Sequence, residues 1–388
     1  MTPSKEPKMA GPVFSVVDVP KIQNVDSPSW ESSVLSRLEV CPAALAKPAK
    51  ELLYIDEPGV KTHHSPNDSL IVARHEPIAA SFLSPALHCY FAVGVTVSGN
   101  GLMWLNNELQ MIDEILPSYW SDPRSGISPQ STPYRDIHLP VRTISGPCVS
   151  GPGWAGWNYG YVILDVLPRI IAAFEVVKGM PRPKLLLQSD TPDWAMSMLK
   201  AVGVTRNDIE WFDPTSERVK LEQGIFPANL GTTHPYLEKL FSSIDPHFTP
   251  PTRYGMYYLS TATFPRRRGC INEGALESIA MNEFGAEVIC LEELPWLEQV
   301  RLFRSAKAVV GLSGYALHTA LVSDGGLTVG QIGASNHLQS AIAALRGQRM
   351  AYQVGFPTSE SYKVPEKQFR ELMSTIYRHS ASTLAKVA

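Results

Sequence analysis

Short apolar runs alternate with amphipathic stretches along the second half of the chain. KLLLQ (184–188), IEWF (209–212) and AKAVVG (306–311) are typical of buried strands, and stretches of helical periodicity lie between such runs, as from Glu273 to Phe284. Regular alternation of strand and helix predicts a parallel sheet with right-handed crossovers. We therefore expect an α/β fold with a doubly wound lobe.

A longer apolar segment, residues 161–177, follows a loop dense in Gly and Trp. It is too long for an ordinary strand, so we predict a buried helix with a bend at Pro168. The prolines between Asp245 and Arg253 are typical of a linker between two lobes. The expected organisation is an N-terminal arm (1–50), an N-terminal lobe (51–248), a C-terminal lobe (249–356) and a final helix that packs back across the lobes (357–388).

Charge and composition narrow the class of protein. The 388 residues include 34 Lys and Arg against 37 Asp and Glu, which argues against a nucleic-acid binder. The most apolar stretch is interrupted by Asp165, Pro168 and Arg169, which argues against a transmembrane span. The first residues lack the apolar run of a signal peptide. The five cysteines form no C-x-x-C motif, so we expect reduced thiols in a cytoplasmic protein.

Several motifs of nucleotide and metal chemistry are absent from the sequence. It contains no D-x-D triplet and no G-x-x-x-x-G-K-[ST], so the usual signals of a metal-held diphosphate and of a P-loop are missing. His63 and His64 have no third ligand at metal spacing. Phosphate chemistry would therefore need a local basic cluster.

Such a cluster occurs at Arg266, Arg267 and Arg268, between a strand ending at Ser260 and a helix that opens near Glu273. In a doubly wound sheet the carboxyl end of a strand faces the ligand crevice, where a helix N-terminus also attracts anions. Guanidinium groups match phosphate oxygens, which indicates a diphosphate site. The alternative is a solvated basic turn.

A second candidate anion site is the glycine-containing turn VVGLSGYALH (309–318). Its glycines allow close backbone approach, and Ser313 can cap the following helix or donate to a phosphate oxygen. A plain turn from strand to helix explains the same residues. Two such loops in successive units of one sheet favour the ligand interpretation.

The third candidate is the start of the long apolar segment. Tyr161, Asp165 and Arg169 share one helix face because they are four residues apart. A carboxylate in an apolar helix has a raised pKa and can serve as a general base. The alternative is an ion pair between Asp165 and Arg169 that satisfies two buried charges.

Four segments, in this order, resemble the motifs of glycosyltransferase family 61. They cover nearly half of the chain, from Asn158 to Gly330. The similar segments are NYGYVILDVLPR (158–169), RRRGCINE (266–273), EQVRLFRSA (298–306) and VGLSGYALHT (310–319).

The resemblance implies a GT-B-like architecture, with two Rossmann-like doubly wound lobes and a cleft between them. It implies inverting transfer from a nucleotide sugar, most often a UDP-sugar, to a hydroxyl of a glycan or glycolipid. The C-terminal lobe would hold the donor and the N-terminal lobe the acceptor, without a metal. The assignments are Arg266, Arg267, Arg268, Ser313, Gly314 and Glu298 for the donor, Trp157 and Asn158 for the acceptor or sugar, and Asp165 as base with Tyr161 beside it.

The sequence departs from the family pattern at several of these positions. Tyr161 and Ser313 stand where the family has His, and neither side chain replaces imidazole as a base near neutral pH. Thr261, Thr319 and Gln331 are further departures. Either Asp165 or another carboxylate serves as the base, or turnover has been lost.

Three hypotheses follow from these observations. The leading hypothesis is a cytoplasmic transferase of bacterial surface-polysaccharide or glycoconjugate assembly, with peripheral membrane contact through its acceptor left open. The second is a catalytically silent nucleotide- or sugar-binding scaffold. The third is a doubly wound enzyme that uses another phosphorylated cofactor.

Overall fold

The fold was analysed in a computed structural model of the chain. The described residues are 14–16, 23–24, 36–46, 50–55, 82–99, 101–105, 108–111, 137–152, 157–229, 234–245, 247–248, 253–263, 270–333, 337–354, 356–357 and 362–381. Among the described helices, none combines the length and the apolar character that a membrane crossing requires.

The strands are numbered in chain order. They are β1 Phe14–Val16, β2 Gln23–Asn24, β3 Ser36–Cys41, β4 Ala44–Ala46, β5 Lys50–Ile55, β6 Phe82–Ser84, β7 Leu87–Ser98, β8 Leu102–Leu105, β9 Glu108–Met111, β10 Val141–Ser150, β11 Lys184–Gln188, β12 Ile209–Phe212, β13 Arg218–Pro227, β14 Tyr254–Leu259, β15 Glu287–Ile289, β16 Ala306–Leu312, β17 Thr328–Gly333, β18 Arg349–Val354, β19 Phe356–Pro357 and β20 Tyr362–Lys363.

The helices are numbered in the same way. The α-helices are α1 Tyr159–Tyr161, α2 Leu167–Val176, α3 Asp193–Ala201, α4 Tyr236–Ser242, α5 Glu273–Phe284, α6 Trp296–Ser305, α7 His337–Arg346 and α8 Glu366–Ala381. A π-helical turn spans Val162–Val166, and 3-10 helices span Arg206–Asp208, Leu291–Glu293 and Tyr315–Val322.

The described strands form two large sheets, here called the first sheet, with ten strands, and the second sheet, with six strands; β4-β6 and β19-β20 are separate pairs. All six strands of the second sheet are parallel. Its order is β15-β14-β16-β17-β18-β5. Counted from β14, the first five strands follow the order 2-1-3-4-5, which is one of the two common doubly wound arrangements. The α/β class expected from strand and helix alternation is therefore confirmed.

The first sheet has ten strands and is mixed rather than doubly wound throughout. Strands β10, β11, β12 and β13 are parallel to their neighbours in this group, as the alternation predicts. Strand β7, however, runs antiparallel to β3, β8 and β13. The expectation of a doubly wound first lobe is wrong for this part. Strands β7 and β8 are joined by only three residues, 99–101, and therefore pair antiparallel, and β7 also runs antiparallel to the distant strand β13.

The long apolar segment is helical, as predicted, but its irregularity begins before Pro168. The backbone N–H of Leu167 donates to the carbonyl of Val162, five residues back, which defines the π-helical turn. Pro168 is the second residue of α2, directly after the π-helical turn. The side chains from Val162 to Ile170 are all buried.

The terminal regions pack differently from the predicted division of the chain. Strand β5 pairs with β18 and is an edge strand of the second sheet, although residues 51–248 were assigned to the N-terminal lobe. The C-terminal helix α8 packs on the second sheet, where Phe369 meets the Tyr258 ring edge to face at 6.2 Å. The remaining domain boundaries stay a prediction.

Candidate functional site

The second sheet has its topological switch point between β14 and β16. These neighbouring strands are the first and third of the 2-1-3-4-5 order, and ligands of doubly wound sheets bind outside the carboxyl ends of such a pair. Ser260 and Thr261 follow β14, and Ser313 and Gly314 follow β16. The topology therefore brings the start of the arginine loop and the glycine-containing turn to one edge.

The loop after β14 is fixed at both of its ends. The buried carboxylate of Glu273, the first residue of α5, accepts hydrogen bonds from the Thr261 backbone N–H at 2.9 Å and from the Thr261 hydroxyl at 2.8 Å. The side chain of Asn272 donates to the carbonyl of Val364 at 2.8 Å and accepts from the Val364 N–H at 3.1 Å. Arg266, Arg267 and Arg268 lie between these anchors, outside the described residues.

The turn after β16 presents a hydroxyl and an open glycine. The N–H of Ser313 donates to the carbonyl of Ile332 at 2.6 Å, and its Oγ accepts from Gln331 Nε2 at 2.9 Å. A hydroxyl that accepts a hydrogen bond still has one proton to donate. Gly314 is exposed and has an extended backbone, and an added Cβ would lie 3.8 Å from its nearest neighbour. The turn thus leaves space for a ligand oxygen beside Ser313.

Among the described histidines, His318 lies nearest in sequence to this turn and adds no positive charge there. His318 is buried in the 3-10 helix after the turn, and burial lowers its pKa to about 4. Its imidazole is therefore neutral at pH 7. Within the described parts of the chain, no group of three His, Cys, Asp or Glu side chains is arranged to hold a metal ion.

The residues before the apolar helix organise its start. Asn158 caps α1, because its Oδ1 accepts a hydrogen bond from the N–H of Gly160 at 3.1 Å. The indole N–H of Trp157 donates to Asp190 Oδ1 at 3.3 Å. Tyr161 is half-buried, one helical turn before Asp165. The structure therefore gives Asn158 a capping role through the same side chain that was assigned to the acceptor.

Asp165 forms the ion pair that was the alternative to a catalytic role. Its Oδ1 lies 3.1 Å from Arg169 Nε, and the two side chains are only 8% and 6% exposed. Burial raises the pKa of Asp165, and the charge of Arg169 opposes that rise. Arg169 also donates to the carbonyl of Pro152 at 3.3 Å. Proton abstraction from an acceptor would require access to this buried carboxylate.

A polar network, missed by the sequence analysis, joins three of the motif segments. The Tyr159 hydroxyl donates to Gln299 Oε1 at 2.5 Å and lies 2.9 Å from Thr319 Oγ1. Gln299 is buried on α6, whereas its neighbour Glu298, which was assigned to the donor, is exposed. One feature of the sequence could have indicated this network: each of the three residues lies within one of the segments that resemble the family.

The comparisons with known proteins agree with this convergence of segments. The family model described as Glycosyltransferase 61 matches residues 159–329, from the start of α1 into β17. These residues belong to glycosyltransferase family 61. The family 61 segment covers somewhat less than half of the 388 residues. No curated protein matches the chain.

The family indicates glycosyltransferase activity in general, which requires a sugar donor and an acceptor. The family 61 segment includes strands β11, β12 and β13 of the first sheet and the switch point of the second sheet. Trp157 and Asn158 immediately precede it. The other assigned residues lie inside it: Tyr161, Asp165, Arg266, Arg267, Arg268, Glu298, Ser313 and Gly314.

Proposed function

We propose that this protein is an inverting glycosyltransferase of GT-B-like, two-lobed architecture that moves a sugar from a nucleotide sugar to a hydroxyl acceptor. The observation that carries the proposal is the switch point of the second sheet. There, the Ser313-Gly314 turn and the start of the arginine loop follow neighbouring strands within the family 61 segment. A UDP-sugar is the expected donor, and a glycan or glycolipid in polysaccharide or glycoconjugate assembly is the expected acceptor.

In this proposal the donor diphosphate lies at the carboxyl edge of β14 and β16. The hydroxyl of Ser313 donates to a phosphate oxygen, and Arg266, Arg267 and Arg268 balance the charge that grows on the leaving diphosphate. The described residues on either side of this loop are anchored, Thr261 to Glu273 and Asn272 to Val364. This charge balance supports transfer without a metal.

The acceptor side of the proposal is the start of the helical segment. Trp157, Asn158 and Tyr161 offer an aromatic surface and polar groups to a sugar hydroxyl. Asp165 is the base in this scheme, with Tyr161 beside it. Inversion requires the acceptor oxygen to attack from the face opposite the diphosphate, so the acceptor must approach across the cleft between the lobes.

The first experiment measures binding and turnover together. The melting temperature is recorded with a panel of nucleotides and nucleotide sugars, with and without EDTA, and donor hydrolysis or transfer follows for each hit. Saturation at about 100 Kd contributes ~2.7 kcal/mol, or ~3 °C for a chain of this length. Selective stabilisation by one donor, unaffected by EDTA and accompanied by turnover, is expected. No response to any nucleotide would reject the proposal.

Arginine variants test the assignment of the diphosphate site. Arg267→Ala is expected to lose donor stabilisation and transfer without unfolding. Arg206→Ala is the matched control. Arg206 is exposed and precedes the amino end of β12 in the first sheet, whereas the proposed donor site lies at the carboxyl ends of strands in the second sheet. Wild-type binding and transfer by Arg267→Ala would remove Arg267 from the site.

The ion pair between Asp165 and Arg169 favours a second candidate, a catalytically silent nucleotide- or sugar-binding scaffold. A buried carboxylate held by a guanidinium is poorly placed to take a proton from an acceptor. Nucleotide binding without hydrolysis or transfer, for every donor that binds, would favour this scaffold over the enzyme.

A further inference from the structure

The Tyr159 hydroxyl lies where three separate parts of the chain meet. Tyr159 opens α1, Gln299 lies on α6, and Thr319 lies on the 3-10 helix after the Ser313-Gly314 turn. The Tyr159 ring also packs against Trp194 of α3, with the ring centroids 5.6 Å apart. Helix α1 and the π-helical turn both contact the 3-10 helix, so this is a junction between the two sheets' layers.

The hydrogen bonds at this junction have a defined direction. Gln299 Nε2 donates to the carbonyl of Leu294 at 2.8 Å, which turns the amide oxygen toward Tyr159. The Tyr159 hydroxyl must therefore donate its only proton to Gln299, and it can then only accept from Thr319. Burial raises the pKa of Tyr159, so the phenol keeps its proton throughout the neutral range.

Helix α1 and the 3-10 helix, which this network joins, belong to different halves of the proposed site. The 3-10 helix continues directly from the Ser313-Gly314 turn on the donor side. Asn158, which was assigned to the acceptor, directly precedes Tyr159, and Tyr161, which was assigned beside the base, follows it by two residues. Thr319 is fully buried, so water does not compete for its hydroxyl. The Tyr159 hydroxyl is therefore a direct hydrogen-bonded link between the 3-10 helix on the donor side and α1 on the acceptor side.

We propose that Tyr159 is a positioning residue that holds the donor turn and the acceptor side in the relative geometry needed for transfer. The inference rests on the proposed transferase function and deepens it. Tyr159 contacts neither the reacting sugar nor the leaving diphosphate in this scheme. Its effect is on the alignment of the two substrates, and therefore on kcat more than on donor affinity.

The test compares Tyr159→Phe with wild type. Phenylalanine keeps the ring packing on Trp194 but leaves the Gln299 oxygen and the Thr319 hydroxyl without their shared partner. We expect kcat to fall about tenfold or more, with the nucleotide Kd within about twofold of wild type. A purely structural role would lower the melting temperature and leave kcat per folded molecule unchanged. The matched control, Tyr236→Phe on α4, is expected to retain wild-type kcat.

Thr319 variants provide a second, independent test. Thr319→Val removes the hydroxyl that donates to Tyr159 and is expected to lower kcat several-fold. Thr319→Ser keeps the hydroxyl and is expected to retain the wild-type kcat. The double variant Tyr159→Phe/Thr319→Val is expected to be no slower than Tyr159→Phe, because both changes break one network. If Tyr159→Phe does not fold, Thr319→Val alone decides the question.

The outcomes separate this inference from the proposed function. Wild-type protein that neither binds a nucleotide nor transfers a sugar would reject both. Wild-type transfer with an unchanged kcat in Tyr159→Phe, or in Thr319→Val when the first variant does not fold, would reject the positioning role alone. A fall in kcat for Tyr159→Phe that Tyr236→Phe reproduces would also reject it.

Discussion

Removal of Arg169 is expected to destabilise the protein strongly. Arg169→Met leaves the Asp165 carboxylate unpaired in a site where it is 8% exposed. Removing one partner of a buried ion pair costs about 3–5 kcal/mol. At about 2.1 cal/mol/K per residue, unfolding of 388 residues has an entropy near 0.8 kcal/mol/K, so the expected fall in melting temperature is ~4–6 °C.

The loss of stability in Arg169→Met is expected to depend on pH. Burial raises the folded-state pKa of Asp165, and Arg169 lowers it. A carboxyl with a raised folded-state pKa favours folding below its unfolded pKa, and this contribution is lost as pH rises through the folded value. Without Arg169 that folded value is higher still. The destabilisation by Arg169→Met should therefore be largest at neutral pH and shrink as the medium is acidified.

The assay combines calorimetry at pH 7 and pH 5 with transfer measurements. The double variant Asp165→Leu/Arg169→Met is expected to melt near the wild-type temperature, because apolar replacement of a buried ion pair is often neutral. If Asp165 is the base, this folded double variant loses transfer about 100-fold or more. If the fall in melting temperature of the double variant equals the sum of the falls for Asp165→Leu and Arg169→Met, the two side chains are not energetically coupled. That result would refute the reasoning.

Two further predictions concern stability and thiol chemistry. Gly333→Ala is expected to lower the free energy of unfolding by ~1–3 kcal/mol, because Gly333 has φ +97° and an added Cβ would lie 2.7 Å from the Tyr362 ring. The measurement is a urea unfolding curve, and an unchanged midpoint would contradict this. In a thiol titration of the native protein at pH 8, only Cys41 and Cys290 of the five cysteines are expected to react quickly, because the others are buried and burial raises the pKa of Cys148 to about 12. Rapid reaction of all five thiols would contradict the burial.

Local signals in the sequence predicted most of the second sheet and its helices. Helix α5 has the predicted bounds, Glu273 to Phe284, because Gly285 follows in the left-handed conformation that ends helices. The segment from Tyr315 was predicted to be an ordinary helix, yet it forms a 3-10 helix. Periodicity over so few residues does not distinguish the two.

Long-range pairing could not be predicted in the same way. Strand β7 lies between β3 and β13 through backbone bonds to residues far along the chain. Nothing in the local alternation of β7 specifies those partners or their antiparallel direction. The assumption of one fold type for both sheets failed for this reason.

The sequence predicted which segments form the candidate site, but not which of their side chains contact one another. The sequence analysis assigned Glu298, which is exposed, whereas the adjacent Gln299 is the residue that reaches Tyr159. A helix turns about 100° per residue, so a one-residue difference changes the face on which a side chain lies. The Asp165–Arg169 pair was foreseen because a spacing of four residues alone places both side chains on one face.

The position of β5 in the second sheet has a consequence for synthesis of the protein. Its partner β18 lies about 300 residues further along the chain. At roughly 5–20 residues per second, the ribosome makes that partner ~15–60 s after β5 emerges. For most of translation, β5 therefore lacks the neighbour that satisfies its backbone groups. Among the strands that the structure describes, it is the one on which a chaperone, or an incorrect partner strand, has the longest time to act.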